Sequence, residues 1–250
     1  MKCLIVSGVH GNWPALQAVL AAEPDADQIL CLGDLVNYGP QPAECVAWAM
    51  HSHPPNRIVC ALGKYLLEQT TAAPVNSQLT PPMKRFLASL EPAQQFRWGE
   101  SLCFACHRIS DHPLEFERLE DVNWNATELA RMHSDIILTG IPGILFVLVG
   151  HPDFLFLADS NQAMHMELNG TEIVNPGSLG LPADGDPRAA YAVWQNGEVA
   201  LHRLAYEVEE TARAYERLNL DEELKRQLAD NLRAGTFLAT HDADELVALS

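Results

Sequence analysis

Residues 4–12, LIVSGVHGN, decide how the rest of the chain is read. Leu4-Ile5-Val6 continue the apolar run begun at Cys3, the pattern of a strand buried on both faces, and Ser7-Gly8 break it into a short turn. His10 stands at the mouth of that turn. In an open α/β sheet the residues just past the carboxyl ends of strands gather along one edge, where sites form. A carboxylate two residues before His10 would complete an Asp-x-His metal clamp. The chain has Gly8 there, and so has half of one.

Outward from this stretch the elements alternate. A strand at 2–7 leads to a helix at 12–22, where Trp13, Leu16, Val19 and Leu20 recur at helical spacing and Pro14 sits in the first turn, where proline is tolerated. A strand at 28–32, a helix at 42–51 and a strand at 57–62 follow. This β-α-β-α-β series predicts a parallel sheet with crossover helices. Residues 68–100 read as helical and loop-like, with a helix around 83–90 opened by Pro81-Pro82. The second half reads as strands at 102–106, 144–149, 154–158, 163–168, 172–174, 190–195 and 199–204. Asn169-Gly170 and Asn196-Gly197 supply hairpin signals. A charged helix at about 220–232 and an acidic tail close the chain. The expectation is one domain over 1–250, a mixed pair of sheets with helices outside.

Composition narrows the function classes. With 48% hydrophobic and 20% charged residues over 250 positions, the chain is an ordinary globular sequence with ample capacity for a core. It carries 33 acidic against 16 basic residues, a formal charge of −17, and no Lys/Arg cluster, so phosphate-directed nucleic-acid binding has little electrostatic support. The apolar run at 141–149 is interrupted by Pro142 and Gly143 and is far shorter than the roughly 20 residues of a membrane span. No signal-peptide pattern follows Met1-Lys2, and the expected location is the cytoplasm. Cys3, Cys31, Cys60 and Cys103 sit in or beside apolar runs and read as small hydrophobes. Cys103 and Cys106 form one C-x-x-C without the second pair of a zinc knuckle, and on a strand they face opposite sides.

Further polar residues follow expected strands: Asp34 in LGDLVNYGP, Lys64-Tyr65 in ALGKYL, His107 in CHRIS, and His151 with Asp153 in VGHPDF. Three histidines and two carboxylates at one edge form an N/O donor set suited to a divalent metal. Singly, each has a plainer reading as a loop cap or turn; their shared position at successive strand ends gives them weight. Asn12 reads as a helix cap, and Asn175 and Ser178 in NPGS read as turn builders.

The motifs VHGNWPALQAVL, GDLVNYGPQPAECV, VNPGSLGLPADGDPRAAYAVW and HRLAYEVEETA resemble the calcineurin-like metallophosphoesterases, in particular a bacterial branch of small phosphodiesterase-like proteins. The resemblance runs along nearly the whole chain. It implies a four-layer α/β/β/α sandwich carrying two metal ions bridged by one aspartate, which polarise phosphoryl oxygens and generate hydroxide near neutral pH. It further implies a motif order of Asp-x-His, Gly-Asp, Gly-Asn-His-Asp/Glu, a lone His, and Gly-His-x-His. Here His10 matches the first His while Gly8 replaces its Asp, and Asp34 matches the bridging Asp. Lys64 replaces the ligand Asn, Tyr65 the catalytic His, and Leu66 the acid. His107 matches the lone His and His151 the first His of the last motif, where Asp153 replaces the second. Placing that last motif at 138–143 instead would abolish it, whereas 150–153 keeps the following apolar pattern.

By this carry-over one metal would see His10, Asp34 and Asp153, and a second would see Asp34, His107 and His151 with the Lys64 ammonium beside it, repelling a cation. The expected cofactor is therefore at most one divalent ion (Mn, Fe, Zn or Mg). Lys64, Arg108 and Arg188 are the candidates for holding a phosphate. Three functions fit, in this order. The first is an impaired or inactive family member that binds a phosphate-containing ligand or a partner. The second is a one-metal phosphomonoesterase or phosphodiesterase, with Tyr65, a weak acid at neutral pH, in the proton donor's place. The third is a non-catalytic scaffold. Membrane and nucleic-acid partners are not expected, and the sequence leaves the oligomeric state open.

Overall fold

Strand β1 (Lys2–Val6) is the central strand of the first sheet. In the computed structural model, residues 1–52, 57–58, 77–91, 93–98, 101–106, 136–139, 145–148, 155–158, 163–168 and 171–236 are described. β1 pairs in parallel with β2 (Gln28–Cys31), which pairs in parallel with β3 (Arg57–Ile58). On its other side β1 runs antiparallel to β11 (Ala189–Gln195), and β11 turns back through Asn196-Gly197 into β12 (Glu198–Leu204). Asn196 and Gly197 have φ of 55° and 88°, so the Asn-Gly hairpin expected from the sequence forms with both central residues left-handed. Helix α1 (Trp13–Ala22) connects β1 to β2, and helix α2 (Pro42–His51) connects β2 to β3.

The second sheet has the order β4-β5-β6-β10-β9, from β4 (Ala93–Trp98), β5 (Ser101–Cys106), β6 (Ile136–Thr139), β10 (Thr171–Asn175) and β9 (Met164–Leu168). β5, β6 and β10 run parallel, and the two edges are antiparallel. A separate pair joins β7 (Leu145–Leu148) and β8 (Leu155–Ala158).

Alternation along β1 sets the layers. Leu4 and Val6 pack with Ala15, Leu16 and Val19 of α1 and with Val46 and Ala49 of α2. Cys3 and Ile5 face the other way and pack with Phe96, Trp98, Cys103, Ala105 and Val174 of the second sheet. Trp194 of β11 stacks on Trp98 of β4 across this seam, ring centroids 4.8 Å apart. Helices, first sheet and second sheet thus lie in succession, a mixed α/β arrangement with flanking helices. The outer helical layer of the expected four is not seen among the described residues.

Three segments differ from the sequence reading. Residues 93–98, expected within a helical and loop-like region, form β4: Phe96 and Trp98 are buried while Gln95 and Arg97 are exposed, a period of two carried by only two apolar side chains. Residues 136–139 form β6, a strand the sequence pattern does not announce. A helix also precedes the expected C-terminal one: α4 (Val208–Tyr215) comes before α5 (Glu222–Ala234), with α3 (Pro81–Ser89) earlier in the chain. α4 buries Thr211, Ala212 and Tyr215, two of them small, so its apolar face is faint in sequence. Its Ala212 and Tyr215 share a small core with Leu228, Ala229 and Leu232 of α5, and α4 packs on α1.

Cys3, Cys31, Cys45 and Cys103 are free thiols in the core, and burial pushes the Cys45 thiol well up. Among the described residues no helix is long and apolar enough to cross a membrane.

Candidate metal centre

Three loops meet at the carboxyl ends of β1, β2 and β10. The central one, Ser7–Asn12, is stitched on one side to the loop after β2: His10 N–H donates to the Asp34 carbonyl (2.6 Å), Gly11 N–H to that of Leu35 (3.0 Å), and Gln41 N–H to that of Gly11 (2.9 Å). On the other side Leu179 N–H donates to the Ser7 carbonyl (2.9 Å) and Gly180 N–H to that of Gly8 (2.8 Å). Two glycines permit this closeness. A Cβ on Gly39 would fall on the His10 carbonyl oxygen and 2.7 Å from the Gly11 carbonyl carbon; one on Gly180 would fall on the Val9 carbonyl oxygen and 2.7 Å from its carbon.

The loops are also strained where the candidate ligands sit. His10, Asp34, Asn37 and Tyr38 have φ of 48°, 51°, 74° and 60°, the left-handed region that side chains with a Cβ disfavour. Asn196 in the hairpin turn is the remaining non-glycine residue of this kind among those described. Strain gathered at one sheet edge is a mark of functional sites, because only an over-determined surrounding holds it. Here the cross-loop hydrogen bonds and the glycine contacts provide that surrounding.

His10 and Asp34, 5% and 6% exposed, come together as the sequence predicts, with Nε2 and Oδ2 3.8 Å apart. The Tyr38 ring meets the His10 ring edge-on at 5.6 Å. At 3.8 Å the two atoms are too far apart for a direct hydrogen bond. Two donors each about 2.0–2.2 Å from one cation lie about 3.3–3.8 Å apart at tetrahedral to trigonal angles. The pair therefore fits two ligands of one divalent ion, an imidazole nitrogen and a hard carboxylate oxygen.

Gly8 contributes no donor. Its φ is 57°, and a Cβ there would lie 2.7 Å from Ser178 Oγ and 3.1 Å from Ser178 Cβ. Ser178 Oγ donates to the Gly8 carbonyl (3.1 Å) and accepts from Leu181 N–H (3.2 Å), so the side-chain space beside Gly8 belongs to the NPGS turn. Asn175 Oδ1 accepts from Gly177 N–H (2.9 Å), and both residues are the turn builders expected. Arg188, a phosphate candidate, lies on an exposed loop in an ion pair with Asp186, and its guanidinium holds the Asp186 carboxyl down at about 2. Lys64, Tyr65, His107, Arg108, His151 and Asp153 lie outside the described residues. Among those described, no group of three or more His, Cys, Asp and Glu could hold a metal.

Asn12 does more than the capping read from the sequence. Its Oδ1 accepts from Ala15 N–H, capping α1, and also from the Thr211 hydroxyl; its Nδ2 donates to the Gly180 carbonyl and to the Tyr206 hydroxyl. Nothing local in the sequence announces partners near the far end of the chain.

Comparison with known proteins adds to this geometry. Residues 1–65 match the family model of the calcineurin-like phosphoesterases. Over 94% of its length the chain is 26% identical to the uncharacterized protein MJ0912 of Methanocaldococcus jannaschii, covering 96% of that protein. It is similar in structure to a metallophosphoesterase from Sphaerobacter thermophilus, with a TM-score of 0.71 and 28% identity over 94% of this chain and all (100%) of that one. The hypothetical protein PH1004 of Pyrococcus horikoshii shares the fold at a TM-score of 0.63 and 15% identity, over 91% of this chain and 97% of that one.

Proposed function

We propose that this chain, which has the sequence signature and the fold of the calcineurin-like metallophosphoesterases, keeps a phosphate-ester cleft whose dinuclear metal centre is degraded. In this reading it binds a phosphate-containing ligand or partner with little or no hydrolysis. The observation that carries it is Gly8. The position that should supply a carboxylate to the first metal has no side chain, and Ser178 occupies the adjoining space.

His10 and Asp34 would hold a single divalent ion, with Asp153 as the expected third donor. When bound, that ion would polarise a phosphoryl oxygen of the ligand. The Lys64 ammonium would offset phosphate charge where the second metal is missing. A second reading, a slow one-metal phosphomonoesterase or phosphodiesterase, draws support from the strained backbone at the buried His10–Asp34 pair, since strain of this kind clusters at functional sites. The four buried free thiols among the described residues suit a reducing compartment, and the cytoplasm is proposed on that ground.

The test is repair. Gly8→Asp, Lys64→Asn, Tyr65→His and Asp153→His together, with Ser178→Gly to clear the space the new Cβ enters, should restore two-metal binding. Hydrolysis of a generic aryl phosphodiester should rise by about 10²–10⁴-fold, the usual contribution of a positioned general acid. A repaired protein that folds yet gains neither a second metal nor activity would overturn the assignment of these positions.

A further inference from the structure

The turn that carries His10 is gripped from the other end of the chain. Val9–Asn12 closes through Asn12 N–H on the Val9 carbonyl (3.0 Å), with His10 and Gly11 at its centre, φ 48° and 62°. Two central residues with positive φ belong to the primed turns, where glycine is at ease and histidine is not. Such a turn relaxes unless its neighbours hold it. On the side away from Asp34, it is held through the carboxamide of Asn12, 1% exposed.

That carboxamide is saturated. Its oxygen accepts two hydrogen bonds, from Ala15 N–H (3.2 Å) and Thr211 Oγ1 (2.8 Å), and its nitrogen donates two, to the Gly180 carbonyl and Tyr206 Oη (each 2.8 Å). Two donors on one side and a carbonyl on the other admit one orientation of the amide. Thr211 is fully buried on α4, 199 residues from Asn12 in sequence, and Tyr206 lies just before that helix. The C-terminal helices are also pinned at their far end: Gly235, the left-handed cap of α5, accepts from Gly185 N–H (2.9 Å), and a Cβ there would lie 2.5 Å from Asp186 carbonyl carbon.

We propose that Thr211 and Tyr206 are positioning residues for His10, holding the Val9–Asn12 turn in its left-handed form through the Asn12 carboxamide and so aiming the imidazole at Asp34. The inference rests on reading His10 as a metal ligand. Without the Thr211 hydroxyl, the Asn12 oxygen keeps only the longer bond from Ala15 N–H (3.2 Å), and the amide is held less firmly. Its bonds to Gly180 and Tyr206 then weaken with it, and the strained His10 backbone loses a restraint that keeps it left-handed. Groups that orient a ligand from behind are worth about 10–100-fold in metal affinity.

The experiment uses the full chain and the variants Thr211→Val, Tyr206→Phe and Thr211→Ser, with two readouts. In metal-free protein, amide hydrogen exchange at His10 and Gly11 should speed up in Thr211→Val and Tyr206→Phe relative to Ile5 of β1, and Thr211→Ser should restore it. With Mn²⁺ alone, titration calorimetry should show the affinity falling about 10–100-fold in Thr211→Val and recovering in Thr211→Ser. Faster exchange confined to α4, with His10 and Gly11 unchanged, would overturn the proposal. So would equal Mn²⁺ affinity in wild type and Thr211→Val, while leaving the metal reading intact. A wild type that takes up no Mn²⁺ would defeat the metal reading, and the exchange at His10 and Gly11 would still decide the positioning role.

Discussion

Gly180→Ala is the substitution that most sharply tests how the site loops are held. The added Cβ would fall on the Val9 carbonyl oxygen, 2.7 Å from Val9 C and 2.9 Å from Asn12 Cβ. Ordinary contact begins near 3.4 Å, and most of what it meets is backbone, so the loops must part. Parting strains two hydrogen bonds, Gly180 N–H to Gly8 O and Asn12 Nδ2 to Gly180 O, both 2.8 Å. Each is worth about 1 kcal/mol net, and more when a buried group is left unpaired. Overpacking adds about 1–3 kcal/mol, and the lost freedom of the unfolded chain returns about 0.4–1 kcal/mol. The sum is a destabilisation on the order of 3–4 kcal/mol, or about 6–16 °C in Tm for a domain of this size. Urea unfolding followed by tryptophan fluorescence measures it, with an unchanged m-value as the check that unfolding stays two-state and exposes the same surface. Gly185→Ala is the control: Gly185 has φ of 82° but nothing within 4 Å of its would-be Cβ, so backbone strain of about 1–2 kcal/mol is its whole cost. Equal losses in the two variants would refute the interlocked loops.

Two other outcomes follow from the packing and the protonation states. Ile5, fully buried between the sheets, should cost about 2–5 kcal/mol as Ile5→Ala and about 0.5–1.5 kcal/mol as Ile5→Val, read in the same denaturation assay. Burial pushes the Tyr206 hydroxyl up to about 12 from its ordinary 10.0, against the smaller opposing effect of its bond to Asn12. The folded state then keeps a proton that the unfolded chain releases. The contribution is complete below pH 10 and lost as pH rises toward about 12. Tyr206→Phe should therefore flatten the fall in stability between those values, and an unchanged alkaline profile would contradict the assignment.

What the sequence made legible, and what it hid, follows from the range of the interactions. The β1–α1–β2–α2 run could be read because Leu16 and Val19 repeat at helical spacing and the strands are continuous apolar runs, and the β11–β12 hairpin because Asn196-Gly197 is local chemistry. The placement of His10 and Asp34 together was legible too, since parallel strands deliver their following residues to one edge. β4 is hidden because its alternation rests on Phe96 and Trp98 among Gln and Arg side chains at home in a helix. α4 is hidden because a threonine and an alanine form much of its buried face. The loop interlock was beyond reach. It depends on carbonyls meeting glycines at Gly39 and Gly180, and on an asparagine that, besides capping its own helix, bonds partners 168 to 199 residues away. No periodicity encodes such contacts.

The proposal of one metal, where the resemblance implies two, is most directly tested by metal content. Protein purified without chelator, then stripped and reloaded with Mn²⁺, should bind close to one equivalent per chain by elemental analysis, and Asp34→Asn should abolish that uptake. Two equivalents in the wild type, with rapid hydrolysis of an aryl phosphodiester, would show that the centre is intact despite Gly8 and would contradict the claim. No uptake at any concentration would contradict it from the other side, by removing His10 and Asp34 as ligands.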